Sequence, residues 1–211
     1  ASIPGVTSSA FGSAMPMEGY GLNLGVVNVG AIRAEDGSDL ESDTPPVRAF
    51  KYASPGFFRT AGTRVVAGRE ITWTEVYGLR PVVMISENLA RELWRTPAAA
   101  LGKHLRQHPD MPWHEVIGVV QDVRENGVYQ QAPPTVYWPS MSAYLSATVG
   151  RPNAIRQVTF VIRSERTGTE GFQNEVRRAV WSVNPNLPAE LRTMREVYDQ
   201  SLARTSFTLV M

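Results

Sequence analysis

VRAFKYASPGFFRTAGTRVVAGRE, residues 47–70, decides the character of the chain. Residues 47–53 alternate well enough to form a strand. Ser54 then offers a hydroxyl to an otherwise unpaired amide of a first helical turn, which is the chemistry of an N-cap. Pro55 suits the first helical position, where its missing N–H costs nothing. Gly62 can take the left-handed conformation that ends a helix. Together these residues predict one short helix of about two turns, with Phe57 and Phe58 as packing anchors. A strand at 63–67, closed by Gly68 and Arg69, completes a strand–helix–strand unit.

Working outward, residues 1–21 are rich in Ser, Gly, Pro and Met without periodicity, and predict an irregular lead-in. Residues 24–33 predict a strand with Val27, Val29 and Ala31 on one side, followed by an acidic loop over 35–46. Downstream, 81–85 predicts an apolar strand, after which Ser86 caps a helix. Leu89, Ala90, Leu93 and Trp94 share one face of that helix, and Pro97 stops it. Strands are expected at 102–106, 113–123 and 135–138, with a connector over 140–153. Residues 157–163 alternate again and place Val158, Phe160 and Ile162 together.

Thr167 and Glu170 have the spacing of a capping box. The helix after them carries Phe172, Val176, Ala179, Val180 and Val183 on one stripe, up to Asn184-Pro185. A strand near 189–192 and a second capping box, Thr193 with Glu196, lead into a last helix. Its Met194, Val197, Tyr198 and Leu202 lie on one side. The class is α+β, with two strand–helix–strand units bracketing a strand-rich middle.

The 211 residues suffice for a real core, and 43% hydrophobic content excludes a disordered tail. Lys and Arg (21) nearly balance Asp and Glu (20), so no overall field draws nucleic acid to the chain. The absence of Cys excludes disulfides, thiolate zinc sites and cysteine nucleophiles within these residues. No stretch of about 18 apolar residues occurs. The last residues, TSFTLVM (205–211), turn apolar directly after the final helical pattern. Two readings stay open for them: a tail docking on the core, or the first turn of a membrane helix.

Groups that could do chemistry lack the context it needs. His104, His108 and His114 lie near Asp110 and Glu115, but Pro109 blocks the helix that would align two imidazoles for zinc. The Gly-rich run 19–25 precedes a strand rather than a helix N-terminus, so it is no phosphate loop. Ser54 lacks the nucleophile-elbow glycines and is explained by capping. The pairs Asp36/Asp39 and Glu41/Asp43 lack calcium-loop spacing. Phe57, Phe58, Trp94, Trp113 and Trp181 are expected in the core. No catalytic, cofactor-binding or metal-binding residue is assigned, no cofactor is expected, and the chain is not read as an enzyme.

Seven blocks, in this order and spacing, carry a resemblance. They are ASPGFFRTAGTRVVAGREIT (53–72), PVVMISENLARELW (81–94), LGKHLR (101–106), WHEVIGVVQDVR (113–124), TVYWP (135–139), FQNEVRRAVWSVNPNLP (172–188) and LRTMREVYDQSLARTSFTLVM (191–211). The chain resembles the periplasmic core domain of MacB-type and FtsX-like ABC transporter permeases, with most likeness to stand-alone permeases abundant in acidobacteria. That resemblance implies that Ala1 follows a first transmembrane helix and Met211 enters a second. It implies a porter-like subdomain from 1–79 and 151–211, and an inserted, strand-rich Sabre-like subdomain at 80–150.

The function so implied is transmission of ATP-driven transmembrane motion to a periplasmic substrate or partner, in efflux or export. The implied partners are an ATP-binding subunit or domain on the cytoplasmic side, a periplasmic adaptor or envelope protein, and a second copy in a dimeric transporter. The alternative within the same resemblance is a regulatory interaction module that controls an envelope enzyme. Either way, the expected location is the periplasmic side of an inner-membrane protein.

Overall fold

A computed structural model describes residues 3–17, 28–36, 46–107, 109–125, 127–142, 153–155 and 158–208. In chain order the elements begin with strands β1 (Val6–Gly12), β2 (Asn28–Ala31), β3 (Arg33–Ala34) and β4 (Val47–Ala53). Helix α1 (Phe57–Ala61), β5 (Val65–Gly68), α2 (Trp73–Tyr77), β6 (Val82–Ser86) and α3 (Glu87–Trp94) follow. Then come β7 (His104–Arg106), β8 (His114–Val120), β9 (Thr135–Pro139), β10 (Met141–Ser142), β11 (Asn153–Ala154) and β12 (Thr159–Ser164). Two helices close the chain, α4 (Glu170–Val183) and α5 (Met194–Thr208).

One mixed sheet runs in the order β12-β1-β4-β9-β6-β8-β7-β3, with β2 beside β4 and β5 beside β8. Pairs β4–β9 and β6–β8 are parallel. The central strands read as unbroken apolar runs because both faces are covered. On one face α3 packs Leu89, Ala90, Leu93 and Trp94 against Phe50, Ile85 and Val136. On the other, Phe57 and Phe58 of α1 and Val76 of α2 lie over Met84, Val120 and Tyr137. Each fully buried side chain of this kind contributes about 1.5–3 kcal/mol. Among the described residues the α+β expectation holds, and β4 occupies its expected span.

The strands fall in blocks. β12, β1 and β4 form one end of the sheet, β9, β6, β8 and β7 run on beside them, and β3 and β5 from the first part of the chain pair onto β7 and β8. The seam is the parallel β4–β9 pair, where Lys51 registers with Tyr137.

Several local expectations are corrected. The lead-in over 1–21 is not wholly irregular, since Val6–Gly12 is a strand paired with β12 from Val6↔Ser164 to Gly12↔Thr159. Its small Ser, Ala and Gly side chains carry little local signal; the partner strand about 150 residues later supplies the order. Within β12, Val161 is buried while Phe160 is 65% exposed, so the buried face is the opposite one to the apolar trio.

Ser54 does not cap α1. Gly56 holds the N-cap position at φ 79°, and the orphan amides of Gly56 and Arg59 instead donate to the Glu70 carboxylate at 3.0 and 3.2 Å. The Ser54 hydroxyl accepts from Phe11 N at 2.9 Å and so ties β1 to the end of β4. Helix α3 ends when Arg95 turns left-handed at φ 69°, before Pro97 is reached. The cap of α4 is Thr169, accepting from Phe172 N, whereas Thr167 donates to Ser164 O at 2.5 Å. Residues 189–192 alternate in burial as a strand would, but form no ladder with the described residues. The second unit is therefore strand, helix, extended segment, helix.

Other expectations match. The Thr193–Glu196 capping box is formed in both directions, at 2.6 and 3.2 Å. Over the connector, β10 and β11 pair in a short ladder, and 143–152 lie outside the described residues. The Gly-rich run 19–25 and the end 209–211 also lie outside them. No helix among the described residues is long and apolar enough to cross a membrane.

Gly62 ends α1 at φ 83°, as expected, and a Cβ there would meet the Arg163 guanidinium at 2.7 Å. Gly62→Val should therefore cost about 1–2 kcal/mol from left-handed strain. Thermal unfolding checks this, with a fall of about 2–4 °C expected per kcal/mol in a chain of this size.

Candidate functional site: a buried ion pair where the chain ends meet the sheet

Strand alternation along β4 puts Lys51 on the same side as Ala49 and Ala53, facing inward. Only 2% of it is exposed. Its ammonium pairs with the Glu125 carboxylate, itself 1% exposed, and approaches Ala14 O at 3.4 Å. Tyr137, its neighbour across the β4–β9 seam, stands beside it and packs edge-on against Phe58 at 4.9 Å. Burial pushes the Glu125 carboxyl upward, opposed by the Lys51 charge. Tyr137 is driven well above the ordinary phenol value by burial, then by the Glu125 charge.

Glu125 sits on the loop between β8 and β9, and that loop has firm shoulders. Asn88 at the start of α3 donates its N–H to Asp122 Oδ1 at 2.8 Å and its side-chain amide to Ala132 O at 2.7 Å. Ser86 accepts from Thr135 N at 2.8 Å. Between the shoulders the contacts are different in kind. Met17 N donates to Arg124 O at 3.2 Å, the Arg124 guanidinium donates to Val128 O, and Val128 N donates to Ser201 Oγ at 3.3 Å. Ser201 and Val197 are the buried residues of α5. The segment after β1, the loop and the last helix therefore meet around the buried pair.

Neither partner was singled out by spacing, since Lys51 and Glu125 are 74 positions apart. The one available signal was a lysine on the inward register of a strand otherwise occupied by Ala49 and Ala53.

The histidines do not converge. His114 registers with Leu105, and His104 with Glu115, so the two imidazoles face opposite sides of the sheet. His104 Nδ1 lies 2.8 Å from Glu35, and His108 is outside the described residues. His114 is buried edge-on to Trp138 at 4.9 Å, with Nδ1 donating to Pro112 O at 2.9 Å. Among the described residues no cluster of three metal-ligating side chains forms.

Asp36 accepts from Lys103 and from Trp94 Nε1 at 2.7 Å, and its carboxyl is lowered chiefly by Lys103; Asp39, Glu41 and Asp43 are outside the described residues. Arg69 holds Glu75 down at about 2 through a two-pronged contact at 2.6 and 2.9 Å, at one wall of an open cleft shared with Arg80 and Trp113. Phe57, Phe58 and Trp94 are core residues, as expected. Trp113 is half-buried beneath the Arg106 guanidinium at 4.2 Å. Trp181 is a correction: it is exposed on α4, its indole N–H donating to Leu187 O at 3.1 Å, because the helix overhangs the sheet there.

The family model described as the MacB-like periplasmic core domain matches residues 5–179. The chain belongs to that family. It is thus a periplasmic domain of an ABC transporter permease, from a class that works with cytoplasmic ATPase subunits and is not a known class of enzyme. The periplasmic region of MacB from Actinobacillus actinomycetemcomitans is similar, at TM-score 0.55 and 16% identity over 86% of this chain and 69% of that one. A domain assigned to a permease of Porphyromonas gingivalis matches at TM-score 0.51 and 19% identity, over 94% of this chain and 70% of its own. The extracellular domain of the noncanonical ABC-type transporter YknZ from Gram-positive bacteria matches at 0.55 and 15%, over 89% and 81%. At such identities these likenesses establish the fold. No curated protein matches the chain.

Two outcomes follow for the domain's buried charges. Lys51→Met leaves the Glu125 carboxylate buried without its partner, and should cost about 3–5 kcal/mol in urea unfolding. Lys51→Met combined with Glu125→Leu should recover most of that loss.

His114 supplies a pH dependence of definite sign. Burial lowers it to about 4, whereas the unfolded chain takes the proton near the ordinary value of 6.5. The unfolded state then binds more protons between these values, so stability falls as pH drops through that window. About 2 kcal/mol is lost at pH 5. His114→Gln should remove this part, measured as the difference between variant and parent in urea at pH 7 and pH 5. Glu125, raised by burial, acts in the opposite sense in both proteins and cancels in that comparison.

Proposed function

We propose that this domain transmits ATP-driven motion of the permease's transmembrane helices to a periplasmic substrate or partner during export. The observation that carries this reading is the pairing of the chain's first and last described strands. β1 and β12 are antiparallel neighbours at the edge of the sheet, bonded from Val6↔Ser164 to Gly12↔Thr159. A displacement applied to either strand therefore enters the same sheet edge. A rigid, doubly covered sheet passes that displacement on as a body, because close-packed interiors compress little.

Within this reading the chain divides into a part built from 1–79 with 151–211 and an inserted part at 80–150, which share one sheet because β3 and β5 of the first pair with β7 and β8 of the second. The cytoplasmic ATPase supplies the energy, a periplasmic adaptor or envelope protein receives the motion, and two copies of the permease work as a dimer.

Label distances in the full-length permease with its ATPase test this reading. These residues contain no Cys, so Val183→Cys, 84% exposed on α4, gives one spin label on each of the two copies of the permease. The distance between them should change by several ångström when the ATPase is trapped with nucleotide. An identical distance distribution in the resting and trapped states would rule transmission out.

A further inference from the structure

Resting on that reading, we infer that the Lys51–Glu125 pair is a latch, seating Glu125 and the neighbouring Gly127 and Val128 over the sheet and coupling the segment after β1 and helix α5 to it. The geometry has three parts. The loop's shoulders are clamped to α3 by Asn88, through Asp122 and Ala132, so its middle can swing while its ends stay fixed. The middle is held down by Glu125, whose carboxylate reaches the ammonium of Lys51 in the buried centre of β4. The same middle carries the contacts to Met17 on the N-terminal side and to Ser201 of α5 on the C-terminal side.

A buried ion pair makes such an element two-state. Displacing Glu125 part-way would leave two charges out of water and out of contact, the most unfavourable arrangement available. The segment is therefore either fully seated or fully released, with Glu125 hydrated. Gly127 suits the seated form: its φ is 112°, and a Cβ there would lie 3.0 Å from Ser201 Oγ. Motion of α5 pulls on Val128 through Ser201, and the release of Glu125 uncovers Lys51 beside the β4–β9 seam. The latch thus links the last helix to the parallel β4–β9 pair inside the sheet.

Hydrogen exchange of the 211-residue chain tests this. Glu125→Gln keeps the side chain's shape and removes its charge. It should raise exchange at amides 124, 125, 127–130, 197–203 and Met17 by about tenfold or more beyond the rise at β6 and β8, whose amides report only the global loss of stability from leaving Lys51 unpaired. A uniform rise through the sheet would overturn the latch, making the pair a plain core interaction. A rise confined to 124, 125 and 127–130, with α5 unchanged, would overturn the coupling. If Glu125→Gln does not fold, Ser201→Ala serves, since it lies outside the pair. It should speed exchange at 124, 125 and 127–130 from the α5 side, and unchanged exchange there would equally sink the proposal. Loss of the latch leaves the label distances of the full-length permease responsive to nucleotide, whereas failed transmission leaves them fixed, so the two failures are told apart.

Discussion

A sheet covered on both faces has no water at its centre, and the arrangement of this domain depends on that constraint. α3 seals one face and α1 with α2 the other, so β6 and β9 are buried along their whole length. A charged group buried in such a sheet needs a partner of opposite charge inside the protein. Lys51 is the most demanding case, because an ammonium cannot be left there alone. Its need fixes the position of Glu125, and Glu125 fixes a loop whose sequence has no strong structural preference of its own. The hydrophobic effect drives the sheet to form but is non-directional. The charge pair is directional, and it decides which segment covers the seam.

A well-packed apolar pair would fill the same space and add at least as much stability. It would also tolerate small slips of the loop, since apolar contacts weaken gradually as surfaces separate. A buried ion pair does not. This difference suits a domain that must hold one defined state and leave it as a unit. Among the described side chains of α5, Val197 and Ser201 are buried, and Ser201 accepts from Val128 N beside the pair.

How much of this was legible depends on the range of each interaction. β4 is read to the residue, because alternation within seven positions suffices. The inward face of α3 and the Thr193–Glu196 box are also local, and both are present as expected. β1 is not local: its Thr, Ser and Gly residues become a strand only by pairing with β12. Ser54 fails for a similar reason. Its hydroxyl had two possible amide partners, and Glu70 from the next connection took the helix end, leaving Ser54 to β1. At 189–192 the alternation is real but forms no ladder with the described residues. The site itself was invisible, since no spacing rule relates Lys51 to a carboxylate on the far side of β8.

The fold also separates the domain's stable part from its working parts. Buried apolar contacts concentrate in β4, β9, β6 and β8, with α3 across them, and such regions open only on global unfolding. In the second half of α4 Trp181 and Val183 are exposed, and among the described side chains of α5 Val197 and Ser201 are buried. On the proposed reading of the domain as a transmitter this ordering matters: an α5 packed as firmly as α3 could shift only by deforming the core, whereas a helix held at Val197 and Ser201 can shift relative to the sheet.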